Sequence, residues 1–148
     1  MKRQLILFLL ILCIVAPLCA QKGLQVNSLF GGRYKNREDA TEVLLKGLKI
    51  SGYGLSLFRS LTLPGNTQEA RRVEQLVRAD AATAIDKETG LKGGRLYYGF
   101  YRFRSNGRTN RYLFYRNNTL HTGGNPTMTL IYMEGTATID DLKRAFGK

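Results

Sequence analysis

Between Thr89 and Met133 the chain carries no acidic residue, while Lys92, Arg95, Arg102, Arg104, Arg108, Arg111 and Arg116 supply seven cations. Aromatic side chains interleave with them at Tyr97, Tyr98, Phe100, Tyr101, Phe103, Tyr112, Phe114 and Tyr115. Guanidinium groups hold phosphate or carboxylate in bidentate fashion, and flat tyrosine faces suit a sugar or an acyl chain. Arg95, Tyr97, Tyr101, Arg102, Arg104, Arg111 and Arg116 are therefore the candidate ligand-binding set. Aromatics that pack a small sheet, with arginine stems snorkelling around its rim, would give the same pattern without any ligand. Tyr98 to Phe103 partly mimics an RNA-binding strand, but Leu96-Tyr97 stands where that signature needs a basic residue and glycine. Nucleic acid is not an expected partner.

Other chemistries find fewer residues. Glycan hydrolysis needs two carboxylates about 5–10 Å apart; of Asp80, Asp86, Glu88, Glu134, Asp140 and Asp141, only Glu134 and Asp80 are candidates for such a pair. His121 stands alone in a polar loop, so no metal site is expected, and no cofactor motif is present. The serines lack Gly-x-Ser-x-Gly spacing. Gly31-Gly32-Arg33 and Gly93-Gly94-Arg95 could cradle an anion through backbone N–H groups, although plain turns explain them as well.

A chain of 148 residues with net charge +12 is one domain long. Its first segment reads as an export leader. Lys2 and Arg3 precede the apolar run Leu5 to Ala20, and Leu18-x-Ala20 offers a cleavage site before Gln21. The run is short for a spanning helix. The organisation expected is a signal peptide over 1–20 and one domain over 21–148. Cys13 and Cys19 leave with the leader, so the domain must be held by its core rather than by disulfides.

Within the domain, Val73, Leu76, Val77, Ala81, Ala84 and Ile85 recur at helical spacing, predicting a long helix over 67–89. Asn66 with Glu69 supplies a capping box and Gly90 the stop. A second helix is predicted over 139–146, capped by Thr138, with acids first and bases last. Strands are predicted at 95–104, 111–117 and 128–134, the first two joined through Asn106-Gly107. An earlier strand is predicted at 42–46, and 53–63 leans to strand over helix. The expected fold is α+β, a two-layer sandwich with both helices on one face of a mainly antiparallel sheet. The meander is apolar or aromatic on both faces, so the uncovered face is expected to meet a partner.

The runs Ala40 to Leu44, Leu57 to Leu61, Gly93 to Tyr101, Arg111 to Arg116 and Leu130 to Gly135 resemble an uncharacterised family of small exported proteins of Bacteroides-type bacteria. The resemblance implies an exported α+β domain and no assigned residues. The function expected is non-enzymatic: contact with an anionic envelope component or a protein partner through the basic aromatic sheet. A hydrolase acting on envelope glycan or lipid through Glu134 and Asp80 is the alternative, and a homodimer through the outer face a third. Membrane contact is expected only through an uncleaved leader. The location expected is periplasmic, envelope-associated or extracellular. The mature protein is expected to begin at Gln21; intact mass of chain isolated from its host checks this, and a mass retaining residues 1–20 in the membrane fraction refutes it.

Overall fold

The computed structural model describes residues 23–120 and 126–146; the leader, its cleavage point at Ala20 and Gln21, both cysteines and His121 lie outside the described residues. Six strands form one antiparallel sheet: β1 (Thr41–Lys46), β2 (Leu55–Pro64), β3 (Asp86–Lys92), β4 (Arg95–Asn106), β5 (Thr109–Asn117) and β6 (Thr127–Gly135). Their order is β1-β2-β6-β5-β4-β3. Three helices accompany them: α1 (Leu48–Ser51), α2 (Gln68–Ala81) and α3 (Ile139–Phe146). The α+β class and the antiparallel sheet agree with the expectation from sequence.

Topology explains the length of α2. The chain leaves β2 and must reach the far edge, four strand spacings away, before β3 to β6 meander back to β2. Those spacings add to about 19 Å, and a 14-residue helix spans about 21 Å. Thr67, not Asn66, caps the helix, its hydroxyl accepting the Ala70 N–H at 3.2 Å. Ala70, Val73 and Val77 bury their side chains on one face of the sheet, against Leu61, Tyr101, Leu113, Tyr115 and Leu130 among others.

The predicted helix over 67–89 is too long. α2 ends at Ala81, and residues 86–92 form the edge strand β3. Thr83, Ile85 and Thr89 are β-branched, and further helix would bury nothing on that side. Extension instead satisfies the open edge of β4, beginning with Ile85 N–H to Arg102 O at 2.8 Å. The sequence hid this strand because six of its seven residues are exposed, so no alternating apolar signal exists. Lys92 and Arg95 close it through Gly93-Gly94, whose φ values of +58° and +76° fit a two-residue hairpin turn that favours glycine.

α3 corrects a second expectation. It packs on the face opposite α2, where Leu142 joins Tyr112, Met133, Leu55, Ile50 and Ala137 in a separate core. The sheet is therefore sandwiched between helices rather than covered on one side. Strand alternation requires this arrangement, because Tyr112 and Met133 point away from the face that takes Leu113 and Tyr132. The chain enters α3 through a fixed corner. Ala137 N–H donates to Gly54 O at 3.0 Å, and Ala137 O accepts the buried Tyr112 hydroxyl at 2.6 Å and the Asn110 amide at 3.2 Å. Thr138 and Asp141 then form a reciprocal capping box, at 3.2 and 3.0 Å.

Tyr112→Phe keeps the ring and removes the bond to Ala137. Since Asn110 still serves that carbonyl, a loss of about 1 kcal/mol is expected, read as a lower urea midpoint at unchanged slope.

Candidate binding face

Register sets out the α3 face in three rows running across the strands. The first is Phe58, Met133, Tyr112, Arg102 and Asp86; the second Ser60, Ile131, Phe114, Phe100 and Glu88; the third Thr62, Thr129, Arg116, Tyr98 and Gly90. Leu142 of α3 buries the Met133 and Tyr112 end of the first row. The second row is only partly covered. It forms the floor of a groove of about 290 Å³ lined by Phe58, Tyr98, Phe100, Phe114, Ile131, Met133, Leu142 and Lys143. Its rings hold one another in place: Tyr98 meets Phe114 edge-on at 5.6 Å between centroids, and Phe100 meets Phe114 at 6.4 Å.

The rim is polar. Lys143 reaches Glu88 at 3.2 Å, and Arg102 pairs with Asp86 directly across the strand pair. Arg116 is exposed beside Tyr98 and has no acidic partner among the described residues. The Tyr98 phenol is pushed above its ordinary value, chiefly by burial and then by Glu88, while Lys143 and Arg116 pull it down. The hydroxyl thus stands between two cations and one carboxylate.

The candidate arginines are not gathered into one cluster. Arg95 is held by buried Glu74 at 3.0 Å, which also meets Arg78 at 3.4 Å, tying the β3–β4 turn to α2. Arg111 lies on the α2 face opposite Glu134 and donates to Arg104 O at 3.3 and 3.2 Å, and Arg104 is exposed near the turn. Register places Arg102 opposite Tyr112 and Arg116 opposite Tyr98 on the groove face. Tyr101 is 1% exposed in the α2 core and offers no face to a ligand. Its ring folds over Gly99, where a Cβ would lie 2.5 Å from the hydroxyl oxygen. Tyr97 packs its ring over Gly90 in the same way. The acid-free stretch from Thr89 to Met133 therefore overstates the local field: Glu74, Asp86 and Glu88 are brought to it from outside.

The two acids considered for hydrolysis each have a local role. Asp80 accepts Gln25 N–H at 2.8 Å and Val26 N–H at 3.0 Å, capping the 3-10 turn Gln25–Leu29. Glu134 accepts the Tyr132 hydroxyl at 2.5 Å. The Gly31-Gly32 amides do hold an anion, but it is the chain's own: the Glu42 carboxylate at 2.8 and 3.2 Å. Among the described residues no three His, Cys, Asp or Glu side chains come together as metal ligands, and no helix is long and apolar enough to cross a membrane.

The groove residues Phe58, Phe114, Ile131 and Met133 were missed as site residues from sequence. The signal was present in the two-faced apolarity of the strands, but only the position of α3 decides which of them stay open.

Residues 13–146 match a family of unknown function (DUF6108). No curated protein is similar to the chain, and no solved structure is.

Burial raises the Asp80 carboxyl, against the pull of the Gln25 and Val26 N–H groups. A folded value above the unfolded one gives stability that is full at low pH and lost as pH rises through the folded value. The stability of the parent minus that of Asp80→Asn should therefore grow as pH falls from about 7 to about 3, by thermal melts. Asp80→Ala should cost roughly 1–3 kcal/mol by orphaning both donors.

Proposed function

The chain belongs to this family of unknown function, and we propose that it is an exported, non-enzymatic binding domain of the cell envelope. In this reading its ligand is an anionic amphiphile, with the apolar part in the groove of the α3 face and the acidic end against Arg116. The observation that carries the reading is the groove itself. Phe58, Tyr98, Phe100, Phe114 and Ile131 are all left partly exposed in one patch beside α3. Isolated exposed apolar residues are ordinary, but a continuous concave patch marks a binding surface. Its volume is at the small end for ligand sites, which suits one alkyl chain or ring rather than a whole lipid.

Charge complementarity supports an acidic end. Arg116 faces Tyr98 in the third row, next to the groove floor, and the net charge of +12 concentrates anions generally. The leader supports export. The commitment of Asp80 to two backbone donors, and of Glu134 to Tyr132, favours binding over hydrolysis by that pair.

A fluorescent fatty acid and the matching uncharged alcohol test the reading. Saturable one-to-one binding of the acid is expected. Ile131→Glu, which places a carboxylate in the groove, should weaken it at least about tenfold with the near-ultraviolet dichroism unchanged. Arg116→Gln should weaken the acid by roughly threefold to tenfold and leave the alcohol unaffected. Binding of the acid by the Ile131 variant as tightly as by the parent would end the proposal.

A further inference from the structure

The two edges of the sheet are treated differently. β3 is protected in the usual ways: its residues Asp86, Lys87, Glu88 and Lys92 are charged, and a bulge breaks its register between Gly90 and Leu91. β1 is less protected: its only charges are Glu42 and Lys46, toward its two ends, and it has no bulge. It pairs with β2 in unbroken register from Thr41↔Thr62 to Lys46↔Leu57, contains no proline, and has β2 as its one strand neighbour in the described sheet. Its middle residues Val43, Leu44 and Leu45 are apolar, with Val43 and Leu45 half-buried and Leu44 50% exposed. Unpaired N–H and C=O groups beside exposed apolar side chains form a template for another strand.

The sequence of β1 identifies that strand. In an antiparallel pairing of two copies about an axis through Leu44, Leu44 faces Leu44, Val43 faces Leu45, and Glu42 faces Lys46 twice over. Alternation puts Glu42, Leu44 and Lys46 on one face and Val43 and Leu45 on the other, so every facing pair also shares a face. Other registers lose this match. Shifting the copies by two residues sets Lys46 against Leu44 and leaves Glu42 opposite another part of the chain. Leu48, 93% exposed directly after the strand, lies at the end that the copy's Thr41 would reach.

We propose that β1 pairs antiparallel with β1 of a second copy about a twofold axis through Leu44, joining two six-stranded sheets into one. Glu42 keeps its role on the Gly31 and Gly32 amides, which holds its carboxylate on that edge where Lys46 of the copy meets it. This surface lies at the opposite side of the sheet from the β4 end of the groove, and the inference does not rest on the ligand reading.

Among the described residues both cores lie between Leu24 and Leu142, and the chain from Gln21 contains all of them. It also has no cysteine, which makes a single introduced thiol diagnostic. Under air oxidation Leu44→Cys should give a covalent dimer, because two copies of residue 44 face each other across the axis within disulfide reach. Leu45→Cys, facing Val43, should give little covalent dimer. Sedimentation velocity at micromolar concentration should show the parent as a dimer. Lys46→Glu should raise the dissociation constant at least about tenfold by setting carboxylates opposite each other, and Glu42→Lys with Lys46→Glu should restore it. Leu91→Lys on β3 serves as the control and should change nothing. A parent that stays monomeric would overturn the pairing. So would equal cross-linking at 44 and 45, or a dimer that survives Leu44→Lys.

Discussion

The central strands of this sheet are apolar on both sides, and nearly everything else follows from having to cover them. β5 alternates Tyr112 and Phe114 on one face with Leu113 and Tyr115 on the other; β6 does the same with Ile131 and Met133 against Leu130 and Tyr132. Burying an aromatic or large aliphatic side chain contributes about 1.5–3 kcal/mol, so neither face can be left to water at no cost. α2 covers one side along its length. α3, at eight residues, is too short to cover the other. The groove is what remains.

That shortfall has two structural supports. The helix is held at its start by Ala137, fixed between Gly54 and Tyr112, and by the Thr138–Asp141 box. Its far half is joined to the sheet rim by Lys143 and Glu88, an exposed pair of the kind that contributes little. Cover is therefore firm over Met133 and Tyr112 and light over Phe100 and Tyr98. The apolar rings are ordered by one another as much as by the helix, so the open part of the face keeps its shape.

How much of this was legible depended on where burial wrote a period into the sequence. α2 could be read from Ala70 to Ala81 because one stripe is buried, and α3 from its cap and charge order. β2 was ambiguous because Leu57 and Leu61 satisfy both periods while Phe58 fits only the helical one, and its pairing with β6 selects the strand. β3 was invisible for the opposite reason, since an exposed edge has nothing to alternate. The arginine stretch misled in a third way: linear runs of like charge say nothing about acids that β3 and α2 bring across, such as Asp86 to Arg102 and Glu74 to Arg95. The site itself required tertiary information, because the choice of which second-face residues stay open is made by a helix that follows all six strands in sequence.

The insertion of β6 between β2 and β5 also dictates when the sheet can close. β1 and β2 emerge first from synthesis and can pair at once, but the inner edge of β2 has no partner until residues 127–135 have followed. Leu55 to Pro64 must wait with one side unpaired while α2 and the whole meander are made. Pairings so distant in sequence are slow to form. The nascent chain therefore passes through a stage in which its first hairpin is half-finished, and that stage, more than the finished fold, is where it is exposed to association with the wrong strand.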